Sequence, residues 1–148
     1  MSRDYVGWYK LKTQIDKREF LGNFSEREVW WVSLGANIGD EEDGKNKLFE
    51  RPVLIVRKYS RQLFWALPLS TAQKESRFYH TVSIGVADRN SVVLLSQGRA
   101  ISSKRLQRRL GRITSVEHES ILQAYADLHK IKSDPQQAES PRAPNGDL

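Results

Sequence analysis

The sequence contains no cysteine, which excludes disulfide bonds and cysteine catalysis and argues against a structural zinc site. Three histidines, His80, His118 and His129, are too dispersed for a metal-ligand spacing, so neither a metal nor a cofactor is expected. No apolar run approaches the roughly 20 residues that a membrane-spanning helix needs. The N-terminus, with Asp4 and no uninterrupted apolar core, lacks the pattern of a secretory leader. A cytoplasmic protein with no membrane partner is the resulting expectation. Phosphate-loop and dinucleotide glycine motifs are also missing. The stretch "GDEEDGK" has suitable glycines, but Asp40, Glu41, Glu42 and Asp43 would repel phosphate, and Lys45 is followed by neither Ser nor Thr.

What is abundant is positive charge. Over 148 residues, 24 Lys and Arg stand against 18 Asp and Glu, for a net charge of +6. That balance favours polyanionic partners, nucleic acid or an acidic protein segment, without specifying a fold. The segment "GRAISSKRLQRRLGR" carries Arg99, Lys104, Arg105, Arg108, Arg109 and Arg112 with no acid among them. It suits a nucleic-acid backbone and suits equally a solvated helix face.

Three regions are expected. In residues 1–26, Tyr5, Trp8, Leu11 and Ile15 recur at spacings of three and four, which predicts an amphipathic N-terminal helical extension packed on the main body. Residues 132–148 hold three prolines and little apolar content, which predicts a disordered tail. Between them, residues 27–131 begin as strands and end as helices. "REVWWVSLG", "RPVLIVRKYS", "QLFWALPLS", "FYHTVSIGV" and "SVVLLSQG" read as five strands, with "VADRNSV" as a hairpin turn. "KRLQRRLG", with Leu106 and Leu110 on one face, reads as helical. Thr114-x-x-Glu117 reads as a capping box before a terminal helix whose apolar stripe is Ile121, Leu122, Tyr125 and Leu128. The expected class is α+β, mainly β: a small antiparallel barrel or sandwich.

Aromatic residues come as adjacent pairs on these strands, Trp30-Trp31, Phe64-Trp65 and Phe78-Tyr79, so alternation sends one of each pair inward and one outward. Outward aromatics such as Trp31 suit base stacking in single-stranded RNA and equally suit a dimer interface.

The order "EVWWVSLG", "GDEEDG", "RPVLIV", "LPLST", "SVVLLSQGRAIS" and "RLGRIT" followed by a helix resembles the PemK/MazF toxins of type II toxin–antitoxin systems, over roughly Arg27 to Ile131. No single motif is specific; their order and spacing carry the likeness. The resemblance implies an SH3-like barrel, a homodimer, and a metal-independent endoribonuclease that cuts single-stranded RNA, including mRNA, at short sequences until an acidic cognate antitoxin blocks it.

The resemblance also implies a site. The G-x-E-x-x-G loop of the family falls on Gly39, Glu41 and Gly44, its catalytic arginine before proline on Arg51, and its hydroxyl residue on Ser70, with Thr71 adjacent. In the reaction implied, the RNA 2′-OH attacks the neighbouring phosphate, leaving a 2′,3′-cyclic phosphate and a 5′-OH. Arg51 offers a planar fork of donors to the phosphorane, Ser70 one more hydrogen bond, and Glu41 a carboxylate base, with His80 a weaker candidate. Trp31, Thr71, Gln97, Arg99 and Arg105 are assigned to structure or RNA positioning. Two departures stand out: six residues, Lys45 to Glu50, separate Gly44 from Arg51, and Ser96 precedes Gln97 where some members carry Asp. The competing role for Arg51 is a rim arginine paired with Glu50 or Glu41. The competing function is a non-nuclease SH3-like-barrel protein, either an RNA-binding module or a gyrase-directed toxin.

Overall fold

In the computed structural model, residues 2–72, 75–84 and 90–130 are described; the expected tail at 132–148 and most of the turn "VADRNSV" lie outside them. The chain begins with helix α1 (Tyr5–Lys17), followed by strands β1 (Glu28–Ser33), β2 (Glu50–Lys58), β3 (Leu63–Ser70), β4 (Tyr79–Ser83), β5 (Asn90–Leu94), β6 (Arg99–Ser102) and β7 (Leu106–Arg112), and closes with helix α2 (Ser115–His129). The class is α+β and mainly antiparallel β. The sheet path runs β4-β5-β3-β2-β1-β7, with β6 also paired to β3, and it does not close on itself among the described residues.

The apolar run of β2 explains the centre of the fold. β2 is flanked by β1 and β3, and both of its faces are covered, so the sequence reads as continuous hydrophobicity rather than alternation. Leu54 and Val56 join Val29, Leu67, Leu69 and Ile121 on one side. Val53 and Ile55 join Trp30, Phe64, Ile101 and Leu106 on the other. Val53, Leu54 and Ile55 are completely buried, each contributing about 1.5–3 kcal/mol of transfer free energy. Arg51 is thus carried on a strand whose centre is completely buried. Of the three aromatic pairs, the first two follow strand alternation: Trp30 and Phe64 point into one core cluster, while Trp65 packs against the other and Trp31 is half-buried on the opposite side of its strand.

β3 changes partners along its outer edge. It pairs with β6 from Leu63 to Ala66 and with β5 at Leu69 and Ser70. Pro68 falls in the gap between these two ladders, where no hydrogen bond is asked of its nitrogen. The end of β3, with Leu69 and Ser70, is thereby brought beside the start of β2.

The expected helix over "KRLQRRLG" is corrected by the structure: these residues form strand β7, paired with β1 through Val32↔Leu106, Trp31↔Arg108 and Trp30↔Arg109. Leucines four apart share a face in a strand as well as in a helix, so their spacing does not discriminate. Pairing with β1 and complete burial of Leu106 decide the matter. β6 is a further strand that the sequence reading did not separate.

Both terminal helices form where expected. α2 starts at Thr114, whose side chain accepts from Glu117 N at 3.1 Å. Only half of the capping box is made, because the Glu117 carboxylate accepts instead from Ser83 N at 2.9 Å and ties the helix to β4. α1 is capped by Asp4, which accepts from Gly7 N at 2.8 Å. Its Trp8 and Ile15 are buried, Leu11 is half-buried, and Tyr5 is largely exposed. Helix α1 thus docks through part of the expected stripe.

Candidate functional site

The long loop between β1 and β2 shapes everything around Arg51. It leaves β1 through Gly35, at φ +100 with the Trp8 ring packed against it, and turns back so that Gly44 N donates to Gly35 O at 2.8 Å. Any side chain at Gly44 would collide with the backbone of Phe49, so close strand-like approach there requires glycine. Within the loop, Asn37 N donates to Asp43 Oδ1 at 2.6 Å and Asn37 Nδ2 to Glu42 O at 2.7 Å. The four acids are therefore held in a defined turn.

That turn and the end of β3 together enclose the guanidinium of Arg51 from three directions. Nε donates to Asp43 O at 2.6 Å, Nη1 to Leu69 O at 3.1 Å, and Nη2 forms an ion pair with Glu42 Oε2 at 3.0 Å. Only 12% of the Arg51 side chain remains exposed. The rim pairings anticipated from sequence, with Glu50 or Glu41, are replaced. Glu50 is buried and accepts from Arg108 Nη1 at 2.9 Å on both oxygens and from Asn46 Nδ2 at 3.1 Å. Glu41 is exposed and caps its own turn by accepting from Ile38 N at 2.8 Å.

The anticipated residues divide into three groups. Arg51, Ser70, Thr71 and Trp31 line one cleft of about 220 Å3, together with Lys45, Asn46 and Glu50. Ser70 Oγ accepts from Ala72 N at 3.2 Å at the end of β3, and Thr71 is exposed. The Arg108 guanidinium lies 4.7 Å from the centre of the Trp31 ring, across the β1–β7 pairing. Glu41, Gln97 and Arg99 line a neighbouring cleft of about 440 Å3 that also includes Glu42. Gln97 braces the acidic turn: its Nε2 donates to Asp40 O at 3.0 Å and its Oε1 accepts from Glu42 N at 3.3 Å. Burial lowers the pKa of Arg99, partly offset by the charge of Glu41.

Arg105 belongs elsewhere. It donates to Ser33 O and Leu34 O at 3.2 and 3.4 Å and lies 5.5 Å over the Trp8 ring, under α1. Burial, reinforced by repulsion from Arg99, lowers its pKa to about 10, which leaves it charged at neutral pH. His80 lies on β4, where Nδ1 contacts Thr81 O at 2.9 Å. Glu42 and Arg108 are the contacts that sequence reasoning missed. Nothing among four successive acids marks Glu42, and Arg108 becomes a neighbour of Trp31 only once β7 is recognised as a strand.

The sequence matches the family described as PemK-like, MazF-like toxin of type II toxin-antitoxin system over residues 25–129. The chain belongs to this family. The match excludes α1, which ends at Lys17. Among solved structures, MazF from Deinococcus radiodurans superposes with a TM-score of 0.58 at 19% identity, covering 73% of this chain and 97% of that one. A mycobacterial endoribonuclease solved with its cognate antitoxin gives a TM-score of 0.58 at 16% identity, over 76% and 100% of the two chains. The Mycobacterium tuberculosis toxin MazF-mt6 gives 0.55 at 16%, over 72% and 100%. These likenesses establish a shared fold. Among curated proteins, none matches the chain. No helix among the described residues is long and apolar enough to cross a membrane.

Proposed function

We propose that this family member is the toxin of its pair and acts as a metal-independent, sequence-specific endoribonuclease on single-stranded RNA. The observation that carries the reading is the placement of Arg51: a guanidinium on a buried strand, at the edge of a cleft that also holds Ser70, Thr71 and Trp31. A cation fixed by its scaffold stabilises charge that develops on a phosphorane without reorganising at the moment of reaction.

In the proposed reaction, the ribose 2′-oxygen attacks the adjacent phosphorus and the 5′-oxygen of the next nucleotide departs. Arg51 donates to the nonbridging oxygens once Glu42 has given way, and Ser70 adds one hydrogen bond. Glu41, exposed and bonded through Ile38 N, is the carboxylate that accepts the 2′-OH proton. Trp31 supplies a face for a base, Thr71 a polar edge, and Gln97 and Arg99 support the acidic turn from the adjoining cleft. Arg105 acts as a structural anchor for α1. The departing 5′-oxygen takes a proton from water, and the products are a 2′,3′-cyclic phosphate and a 5′-OH.

The net charge of +6 suits an acidic antitoxin segment as the controlling partner, and one of the structural relatives is itself solved with a cognate antitoxin. The toxin is proposed to work as a homodimer in the cytoplasm. Incubation of the purified chain with mixed-sequence RNA in EDTA tests the enzymatic reading. Fragments with a free 5′-OH, labelled by polynucleotide kinase without prior phosphatase treatment, are the expected result; intact RNA at high protein concentration contradicts it.

A further inference from the structure

The residues before and at the start of α1 reach back to the acidic turn. Arg3 Nε forms an ion pair with Asp43 Oδ2 at 2.5 Å, Arg3 Nη2 donates to Gly39 O at 2.6 Å, and Tyr5 Oη donates to Asn37 O at 2.8 Å. Asp43 is the residue whose backbone carbonyl caps Arg51 Nε, and Glu42, beside it, supplies the carboxylate on Nη2. A continuous set of contacts therefore runs from Arg3 through Asp43 to Arg51. All three guanidinium nitrogens of Arg51 are occupied by protein oxygens in this arrangement. A carboxylate oxygen on a guanidinium uses the same donors that a phosphate oxygen would.

We infer that Glu42, reaching Arg51 Nη2 from the adjoining cleft, competes with a phosphate for that donor and that Arg3 and Tyr5 form a latch holding it there. The N-terminal extension thus restrains the toxin within its own chain. The latch belongs to the Arg51 site and rests on the proposed nuclease reading for its biological consequence, but its physical content is a competition between Glu42 and an incoming anion. If the site is open only in a fraction of molecules, apparent affinity for an anionic ligand falls by that fraction. Loosening the latch raises the open fraction. α1 is suited to this regulatory role because it lies outside the residues matched by the family, so the contacts from Arg3 and Tyr5 come from a segment added to the shared fold.

The direction of the effect separates the latch from bulk electrostatics. Arg3→Ala removes a positive charge, which by itself weakens binding to a polyanion, whereas release of the latch strengthens it. The substitution leaves Asp4 in place as the α1 cap and Trp8 in its buried seat, and far-UV circular dichroism verifies that α1 persists.

Binding of a mixed-sequence single-stranded 2′-deoxy oligonucleotide, which lacks the attacking hydroxyl, tests the latch apart from catalysis. The full chain, Arg3→Ala combined with Tyr5→Phe, and Glu42→Gln are compared at fixed salt, each with and without Arg51→Ala. The latch predicts several-fold tighter binding for the Arg3→Ala, Tyr5→Phe chain and for Glu42→Gln than for the unaltered chain, with the gain abolished by Arg51→Ala. Unchanged or weaker binding in the Arg3→Ala, Tyr5→Phe chain overturns it, as does a gain that survives loss of Arg51. If binding follows the prediction but none of the Arg51-containing chains cleaves RNA, the latch stands and the nuclease reading falls.

Discussion

Arg51 Nη2 and Glu42 Oε2 form an ion pair at 3.0 Å where two adjoining clefts meet, with the arginine less exposed than its partner. An ion pair with one member open to water contributes little net stability, because solvation competes with it. Glu42→Gln is accordingly expected to cost about 1 kcal/mol or less in urea unfolding. A loss of several kcal/mol would instead make Glu42 a structural keystone of the loop.

Trp8 lies where α1, the loop and Arg105 meet: its ring is 5.7 Å from Phe49, packs on Gly35, and lies beneath the Arg105 guanidinium. Trp8→Ala removes a large buried side chain, and is expected to cost about 3–5 kcal/mol. Thermal or chemical denaturation measures this. Undiminished stability would mean that α1 docks without its main anchor.

Much of this architecture is legible in the sequence, and the exceptions have physical causes. The five runs from "REVWWVSLG" to "SVVLLSQG" announce strands because β-branched and aromatic residues are bounded by polar or turn residues, and Thr114 announces α2 by its capping chemistry. β7 is hidden because Leu106 and Leu110 satisfy both periods and the intervening cations favour helix as readily as strand. Arg51 enters as a candidate through the family resemblance, by its place before Pro52. Its partner is not legible, because which of four adjacent acids turns inward depends on Gly35, Gly39 and Gly44 and on Asn37 crossing the loop. The latch from Arg3 is illegible for a related reason: contacts separated by 36 and 40 residues leave no local signature.

His118 is buried in α2, and among the described residues neither ring nitrogen has a hydrogen-bond partner. Burial lowers its pKa below the usual histidine value; Glu26 and Glu119 oppose that shift, and Arg57 and Arg27 reinforce it. The unfolded chain therefore binds a proton more readily than the native one. Stability from this group is fully present above about pH 6.5 and is lost as the pH falls through the lower native pKa. Denaturation midpoints at several pH values should show this acid-side loss in the unaltered chain and a smaller one in His118→Leu. Equal slopes would contradict the assignment.

Arg108 both neutralises the buried Glu50 and covers Trp31. Arg108→Ala leaves the carboxylate with Asn46 as its remaining side-chain partner among the described residues, and is expected to cost about 2 kcal/mol. It also uncovers the indole face, so RNA binding per base stacked on Trp31 should be retained or improved while phosphate attraction declines. Fluorescence quenching of the tryptophans by oligonucleotide, set beside urea unfolding, separates the two effects. An unchanged unfolding midpoint would show that Glu50 does not depend on Arg108.

If Arg51 stabilises the reacting phosphate as proposed, Arg51→Ala separates cleavage from binding. Cleavage of mixed-sequence RNA in EDTA is measured beside RNA binding and the unfolding midpoint of the same variant. The expected result is a fall in kcat of about 100- to 1000-fold with RNA binding and folding retained. Cleavage at the unaltered rate by a folded Arg51→Ala protein would contradict the account.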